Sequence, residues 1–171
     1  RVIIMTKIDL CGLNETKKWI SYFENKGYKV LPISLIDNQN IINKITNITK
    51  DIVKEINDKR KLKGMKERKT RGLVVGIPNA GKSTLINRLA GKKKVNVGNK
   101  PGITKNLDWI RINDSLELLD SPGILWPKFE ERSVAFNLAS LTAIKEEVLP
   151  IEEVVTYILE MLTTYYKEEA L

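Results

Sequence analysis

A glycine-bounded loop between an apolar run and a helical pattern constrains the fold more than any other stretch. Residues 76–83 read GIPNAGKS and fit the pattern G-x-x-x-x-G-K-[ST]; we call them the phosphate loop. An apolar run precedes the loop, and leucine and isoleucine at helical spacing follow it as far as Gly91. Backbone N–H groups of such a loop wrap a polyphosphate, and we expect side chains at Gly76 and Gly81 to obstruct it.

Two side chains of the phosphate loop have predicted roles. Lys82 is expected to reach the β- and γ-phosphates of a nucleotide, and Ser83 to offer its hydroxyl to Mg²⁺. The alternative is a glycine-containing turn with a surface lysine. The strand signal before the loop and the helix signal after it favour the phosphate site.

Composition limits the classes of protein that this chain can represent. Its 171 residues, 42% of them hydrophobic, suffice for one domain or for one domain with a small appendage. No apolar run approaches the roughly 20 residues of a membrane span and no signal-peptide pattern opens the chain, so we expect a cytoplasmic protein away from the membrane. The absence of histidine and the single cysteine, Cys11, exclude an internal disulfide and a histidine base.

The formal net charge of +8 is unevenly distributed. Residues 59–71 read KRKLKGMKERKTR, further lysines follow the phosphate loop, and glutamates predominate after Phe129. This asymmetry indicates one face for nucleic acid and another kept away from it. A solvated basic surface without a partner is the alternative.

Periodicity predicts the other elements. Apolar runs predict strands at residues 2–5 and 28–33, and helical spacing predicts a helix over 14–25. Six isoleucines from Ile41 to Ile56 mark one face of a long helix and are expected to be core. Four further predictions concern the rest of the chain: a linker or helix extension over 58–70, a mobile stretch over 91–106, a hairpin of 107–112 with 116–119, and two helices after Glu130 separated by Pro150.

A second segment, Asp120-Ser121-Pro122-Gly123, ends an apolar strand downstream of the phosphate loop. A carboxylate there can hold Mg²⁺ through water, and a glycine lets a backbone N–H approach the γ-phosphate. Thr104, in the predicted mobile stretch, is expected to offer a second hydroxyl to the ion. The predicted metal set is therefore Ser83, Thr104 and Asp120.

A third segment, Thr6-Lys7-Ile8-Asp9, is predicted to select the base. A carboxylate such as Asp9 accepts hydrogen bonds from N1–H and the 2-amino group of guanine, and adenine presents neither donor on that edge. The stem of Lys7 can lie along the ring. Ser34 and Leu35, at the end of the next strand, would bring a backbone N–H to guanine O6. On its own the motif could also be a strand end turning into a loop.

The order of these segments resembles a known family. The base motif precedes the phosphate loop, whereas Ras-like proteins have the phosphate loop first, yet every loop still leaves the carboxyl edge of one parallel sheet. Together with PGITK at 101–105 and DSPGILWPKFE at 120–130, the phosphate loop resembles that of the circularly permuted GTPases of the ribosome biogenesis GTPase A (RbgA/YlqF) family.

The resemblance implies an α/β fold and a nucleotide site. The fold would be a circularly permuted P-loop GTPase domain over residues 1–128, with a mostly parallel sheet and helices on both faces, preceded by a further segment. Residues 129–171 would form the first part of a C-terminal α-helical domain, which would continue beyond residue 171. With the motif reasoning above, GTP or GDP with Mg²⁺ would be bound at these positions: Thr6, Lys7, Ile8, Asp9, Ser34, Leu35, Asn79, Ala80, Gly81, Lys82, Ser83, Thr84 and Gly123.

The resemblance also implies a role. The protein would be a monomeric GTPase that drives maturation of the large ribosomal subunit, with its basic linkers on the phosphates of ribosomal RNA. Lys82 and Thr104 would be catalytic, and Asn79 resembles the asparagine that helps hold K⁺ in K⁺-stimulated GTPases. Thr6 replaces the usual asparagine and is expected to weaken guanine affinity.

Hydrolysis by such a site is expected to be slow without the ribosome. Ile124 stands where Ras-like proteins have a water-orienting glutamine, and the chain has no histidine to replace it. Because residues 120–123 run directly into the C-terminal helices, nucleotide state is expected to move those helices. The alternatives are an RNA-binding module with a vestigial nucleotide site and a small-molecule kinase, for which no base is evident near the loop.

Overall fold

The computed structural model describes residues 1–36, 40–91, 108–126 and 128–166. Its strands and helices follow in this order: β1 (Val2–Met5), α1 (Leu13–Asn25), β2 (Lys29–Pro32), α2 (Ile41–Leu62), β3 (Thr70–Val74), α3 (Lys82–Ala90), β4 (Asp108–Arg111), β5 (Leu116–Asp120), α4 (Arg132–Ser140) and α5 (Ile151–Tyr165). Short 3-10 turns lie at Ile8–Leu10 and Glu146–Val148. The predicted alternation of strands and helices is confirmed.

The strands form two small sheets. β1 pairs in parallel with β2, and in the second sheet β5 lies between a parallel β3 and an antiparallel β4. The expected predominance of parallel pairing is confirmed, but the expected single sheet is wrong, because no ladder of the described residues joins β1 or β2 to the second sheet. Sequence patterns predict which residues are strands and leave open which strand edges bond to each other.

One apolar core joins the two sheets through side chains. Helix α3 contributes Leu85, Ile86 and Leu89, each at most 3% exposed, which confirms the helical spacing after the phosphate loop. The other buried members come from α2, from the second sheet and from the residue directly after β2: Ile33, Ile41, Ile45, Ile110, Leu116 and Leu118. Gly91, at φ 66°, ends α3 in the left-handed region.

The expectation that the isoleucine face of α2 is core is wrong for most of its length. Ile41 and Ile45 are buried, whereas Ile42, Ile52 and Ile56 are 40%, 42% and 51% exposed. A helix of 22 residues is about 33 Å long, so it extends past a core of this size. Only its first turns therefore contact the core.

The basic segment is partly helix and partly a loop held against α2. The helix continues to Leu62, and the loop then bends back at Gly64, which has φ 66°. The Asn57 side chain accepts a hydrogen bond from the backbone N–H of Arg68 at 2.9 Å and donates one to its carbonyl at 3.3 Å. The Arg60 guanidinium donates to the carbonyl of Lys66 at 3.0 Å. We call residues 59–69, which comprise the last turn of α2 and the loop after it, the basic loop. The hydrogen bonds give this segment a defined path.

The predicted hairpin is confirmed. β4 and β5 are antiparallel, and the Asn113 carboxamide oxygen accepts from the backbone N–H of Ser115 at 2.9 Å within the turn. Residues 92–107, which include most of the predicted mobile stretch, Thr104 and the start of the predicted hairpin, lie outside the described residues.

The two predicted C-terminal helices are also confirmed, and Pro150 is the N-cap of α5. Phe136 of α4 stacks on Tyr157 of α5 with ring centroids 5.0 Å apart, and the Tyr157 hydroxyl donates to Asn137 at 3.2 Å. Arg132 and Glu153 form an ion pair between the same helices. Among the helices that the structure describes, none combines the length and apolar character required to cross a bilayer.

Candidate nucleotide site

The phosphate loop connects the end of β3 to the first turn of α3. Asn79 and Gly81 have φ angles of 55° and 86°. A Cβ at Gly81 would lie 3.0 Å from Cδ1 of Leu35, so both backbone conformation and packing favour glycine there. A Cβ at Gly76 would lie 3.6 Å from Cδ of Lys82, an ordinary contact. The protein's own packing therefore requires glycine at position 81 and tolerates a methyl group at position 76.

Lys82 lies folded inside the phosphate loop. Its Nζ donates hydrogen bonds to the carbonyl oxygens of Gly76 at 3.0 Å and Ile77 at 2.8 Å. Burial lowers the pKa of the Lys82 ammonium, and the charge of Asp120 opposes that shift. An ammonium group has three donor hydrogens, so Lys82 can keep both of these bonds and still donate the third to a phosphate oxygen.

Ser83 and Asp120 bring two oxygen ligands together. Asp120 is 1% exposed at the end of β5, and Oγ of Ser83 lies 3.5 Å from its Oδ2. A hydroxyl and a carboxylate are the hard oxygen donors that Mg²⁺ prefers, so this pair fits the ion. No cluster of three or more carboxylate, histidine or cysteine ligands occurs in the part of the chain that the structure describes. An ion here would take its other ligands from water and phosphate, as Mg²⁺ commonly does.

The segment after Asp120 lies directly on the phosphate loop. The Ser121 hydroxyl donates to the carbonyl of Val74 at 2.6 Å, and the backbone N–H of Ile124 donates to the carbonyl of Gly76 at 3.4 Å. A Cβ at Gly123 would lie 2.6 Å from the backbone N and Cα of Pro78. The sequence-based reason for this glycine was access to the γ-phosphate. The structure adds that the close approach of two backbones leaves no room for a side chain.

The predicted base motif contacts the phosphate loop through Thr6. The Thr6 hydroxyl donates to the carbonyl of Ala80 at 2.7 Å. Lys7 has φ 56°, and Asp9 lies exposed in the 3-10 turn that follows. Ser34 is 1% exposed and accepts the backbone N–H of Ile36 at 3.2 Å. Segments separated by more than 70 residues therefore converge on one loop.

Residues 71–169 match the family described as 50S ribosome-binding GTPases. The chain belongs to this family. It is 44% identical over 168 residues to the ribosome biogenesis GTPase A of Bacillus licheniformis and 43% identical over the same length to that of Bacillus pumilus, in each case over 98% of this chain and 59% of the relative. The chain thus spans about three fifths of the relatives' length, and the predicted resemblance is confirmed.

A solved structure shows the same fold. The GNP-bound YlqF from T. maritima superposes with a TM-score of 0.63 at 24% identity, over 97% of this chain and 59% of that one. The GDP-bound structure gives a TM-score of 0.62 over 98% of this chain. This member of the 50S ribosome-binding GTPase family therefore has a P-loop GTPase domain built from helices and two small sheets.

The sequence patterns do not predict two residues of the candidate nucleotide site. Ser121 was treated as a spacer between Asp120 and Pro122, although a hydroxyl at a strand end is a common backbone partner. Thr142, which accepts the Asn79 amide, lies 63 residues from the phosphate loop, and no local signal marks it. Thr104, predicted for the metal, falls outside the described residues.

Proposed function

We propose that this protein binds GTP and GDP with Mg²⁺ and hydrolyses GTP as an assembly factor for the large ribosomal subunit. The observation that carries this proposal is the convergence of two separate segments on the phosphate loop, through Thr6 on Ala80 and Gly123 on Pro78. Membership of the 50S ribosome-binding GTPase family and relatives named ribosome biogenesis GTPase A support the ribosomal role.

The proposed roles of the site residues follow from their positions. Asp9 and the stem of Lys7 would recognise guanine, and backbone groups of the phosphate loop would bind the phosphates. Lys82 would neutralise charge that develops on the phosphates during hydrolysis. Mg²⁺ would be held by Ser83 with Asp120, joined by Thr104, and would supply charge neutralisation at the phosphates. We keep a K⁺ site at Asn79 as part of the proposal.

Intrinsic hydrolysis would be slow. Ile124, in the position that would face an attacking water, is apolar and 72% exposed, so it offers no hydrogen bond to orient that water. A residue supplied by the ribosome would complete the site. With such a site, an assembly factor would retain GTP until it has bound its target.

The domain organisation is part of the proposal. Residues 1–128 would form a circularly permuted GTPase domain, because the base motif precedes the phosphate loop in the chain yet contacts it in space. Residues 129–171 would begin a C-terminal helical domain, since α4 and α5 pack mainly on each other through Phe136 and Tyr157.

The basic loop is the surface that best fits ribosomal RNA. Within the described residues, no carboxylate lies within salt-bridge distance of Lys61, Lys63 or Lys66, whereas Lys59 pairs with Glu55 at 2.8 Å. Cations without internal partners, held on a defined backbone, release counterions when they contact RNA phosphates. The protein would act in the cytoplasm as a monomer.

Nucleotide titrations of the full-length protein test the proposal. We expect labelled GDP to bind much more tightly than labelled ADP. Asp9→Asn should weaken GDP binding by about 100-fold or more, because two hydrogen bonds to a charged acceptor are lost. Asp58→Asn, an exposed carboxylate on α2, is the control and should leave binding unchanged. Binding of neither nucleotide would favour the RNA-binding module with a vestigial site.

Turnover measurements test the ribosomal role. GTP hydrolysis should be slow alone and rise on addition of large ribosomal subunits, and replacement of Na⁺ by K⁺ tests the proposed cation. A rate that large subunits leave unchanged would contradict this role.

A further inference from the structure

Asn79 of the phosphate loop is hydrogen-bonded to Thr142, in the turn that follows α4. Nδ2 of Asn79 donates to the carbonyl oxygen of Thr142 at 2.5 Å and to its Oγ1 at 2.9 Å. The Thr142 hydroxyl donates its own proton to the carbonyl of Leu141 at 2.7 Å, so it is an acceptor toward Asn79. A carbonyl oxygen only accepts, so the amide end that faces Thr142 must be nitrogen. Thr142 therefore sets the orientation of the Asn79 carboxamide.

Both partners have an uncommon backbone conformation. Asn79 and Thr142 have φ angles of 55° and 54°. The left-handed region is rare for a β-branched residue such as threonine, and it persists only when surrounding contacts hold it. Those contacts are present: the backbone N–H groups of Thr142 and Ala143 donate at 2.8 Å to carbonyls of α4, and Ala143 is 1% exposed. The turn after α4 is thus fixed with its carbonyl toward Asn79.

Three consecutive residues of the phosphate loop are each held by a different segment. Pro78 packs against Gly123, and the carbonyl of Ala80 accepts from Thr6. Asn79, between them, is held by Thr142. We infer that Thr142 is a positioning residue for the nucleotide site: by holding Asn79 it keeps the phosphate loop in the conformation that receives a polyphosphate. The inference rests on the proposed nucleotide binding.

This contact couples the nucleotide to the turn after α4. If the Asn79–Thr142 bonds favour the nucleotide-binding conformation, bound nucleotide must strengthen those bonds by the same factor. A contact that serves only to pack the helices on the domain would change stability and leave nucleotide affinity unaltered. Affinity and local exchange therefore distinguish the two cases.

The variants are chosen to leave the backbone undisturbed. Asn79→Gly removes the amide at a φ that glycine adopts readily, and Thr142→Val removes the hydroxyl and keeps the β-branched shape. Ser140→Ala is the matched control, because its hydroxyl also caps a carbonyl of α4, that of Phe136 at 2.8 Å, without contact to the phosphate loop. In the full-length protein we expect labelled GDP to bind about fivefold to tenfold more weakly to Asn79→Gly and about threefold more weakly to Thr142→Val.

The double variant decides the route of coupling. Asn79→Gly with Thr142→Val should bind no more weakly than Asn79→Gly alone, whereas independent roles would multiply the two losses. GDP should also slow hydrogen exchange at residues 141–144 in the wild type and have no such effect in Asn79→Gly. Ser140→Ala should match the wild type in both measurements.

Two results would overturn the inference in distinguishable ways. If the wild type binds GDP and Thr142→Val binds it equally well, or the two losses multiply, the Thr142 side chain does not act through Asn79 and the proposed function stands. If the wild type binds no guanine nucleotide, the proposed function fails and the coupling fails with it.

Discussion

The surroundings of the phosphate loop and helix α5 distribute polar and apolar side chains in opposite ways. Beside the loop, Ser34, Asp120 and Ser121 are 1%, 1% and 5% exposed. On α5, four apolar side chains are 40–64% exposed: Ile151, Val155, Leu159 and Leu162. Each of these buried polar side chains has a hydrogen-bond partner: Ser34 accepts from the N–H of Ile36, Asp120 accepts from Ser83, and Ser121 donates to the carbonyl of Val74. The apolar groups of α5 stay exposed because no described element covers them. The apolar pattern of a helix therefore indicates which side chains could be buried, whereas the contacts in the structure show which side chains are buried.

The largest expected difference concerns apolar side chains in the two regions. Ile86 on α3 is fully buried, so Ile86→Ala should lower the free energy of unfolding by about 2–5 kcal/mol. Leu159 is 57% exposed, so Leu159→Ala should change the free energy of unfolding by less than about 0.5 kcal/mol. Urea unfolding of the 171-residue chain measures both values. Similar losses at the two positions would show that α5 is covered as well as α3 is.

A second prediction compares the cost of a methyl group at two glycines, Gly76 in the phosphate loop and Gly123 against it. Gly123→Ala places a methyl group against the backbone of Pro78 and should cost about 1–3 kcal/mol of unfolding free energy, because neither backbone can yield. Gly76→Ala makes only ordinary contacts, with the flexible Lys82 stem at 3.6 Å and Cβ of Ala80 at 3.9 Å, and should cost less than about 0.5 kcal/mol. Thermal and urea unfolding test the pair. If Gly76→Ala proved the more destabilising variant, the packing described at Gly123 would be wrong.

The smallest expected effect concerns Thr6. Thr6→Val removes the hydrogen bond to Ala80 and should cost about 1 kcal/mol, whereas Thr6→Ser keeps the hydroxyl and should cost less. The same order is expected for GDP affinity, since the bond ties the base motif to the phosphate loop. Unfolding and GDP titration on the same samples would check it, and equal behaviour of valine and serine would contradict a role for the hydroxyl.

The sequence predicted most of the local structure. The phosphate loop, the hairpin and the C-terminal helices follow from glycine spacing and periodicity, which act within a few residues. The isoleucine pattern of α2 does not predict how much of the helix is buried. Periodicity indicates which side chains share a face, but it does not indicate how far the core extends along that face. Ile56 continues the pattern of Ile45 and is nevertheless half exposed.

The contacts between segments could not be predicted in the same way. The motif types predict that Asp9, Lys82 and Asp120 lie near one ligand, because each motif has its own chemistry. Thr142 has no motif, and its contact with Asn79 depends on how α4 packs. Thr6 is predicted to weaken guanine affinity because it lacks the amide of the usual asparagine. The structure shows that its hydroxyl donates to the carbonyl of Ala80, which the sequence does not predict.

The folded-back Lys82 has a consequence for how a nucleotide leaves. Two of the three ammonium hydrogens are bound by the carbonyls of Gly76 and Ile77, so the cation has acceptors in the loop even without phosphate. If the proposed nucleotide binds here, its release would not strand this charge, and we expect that to reduce the free energy needed for release.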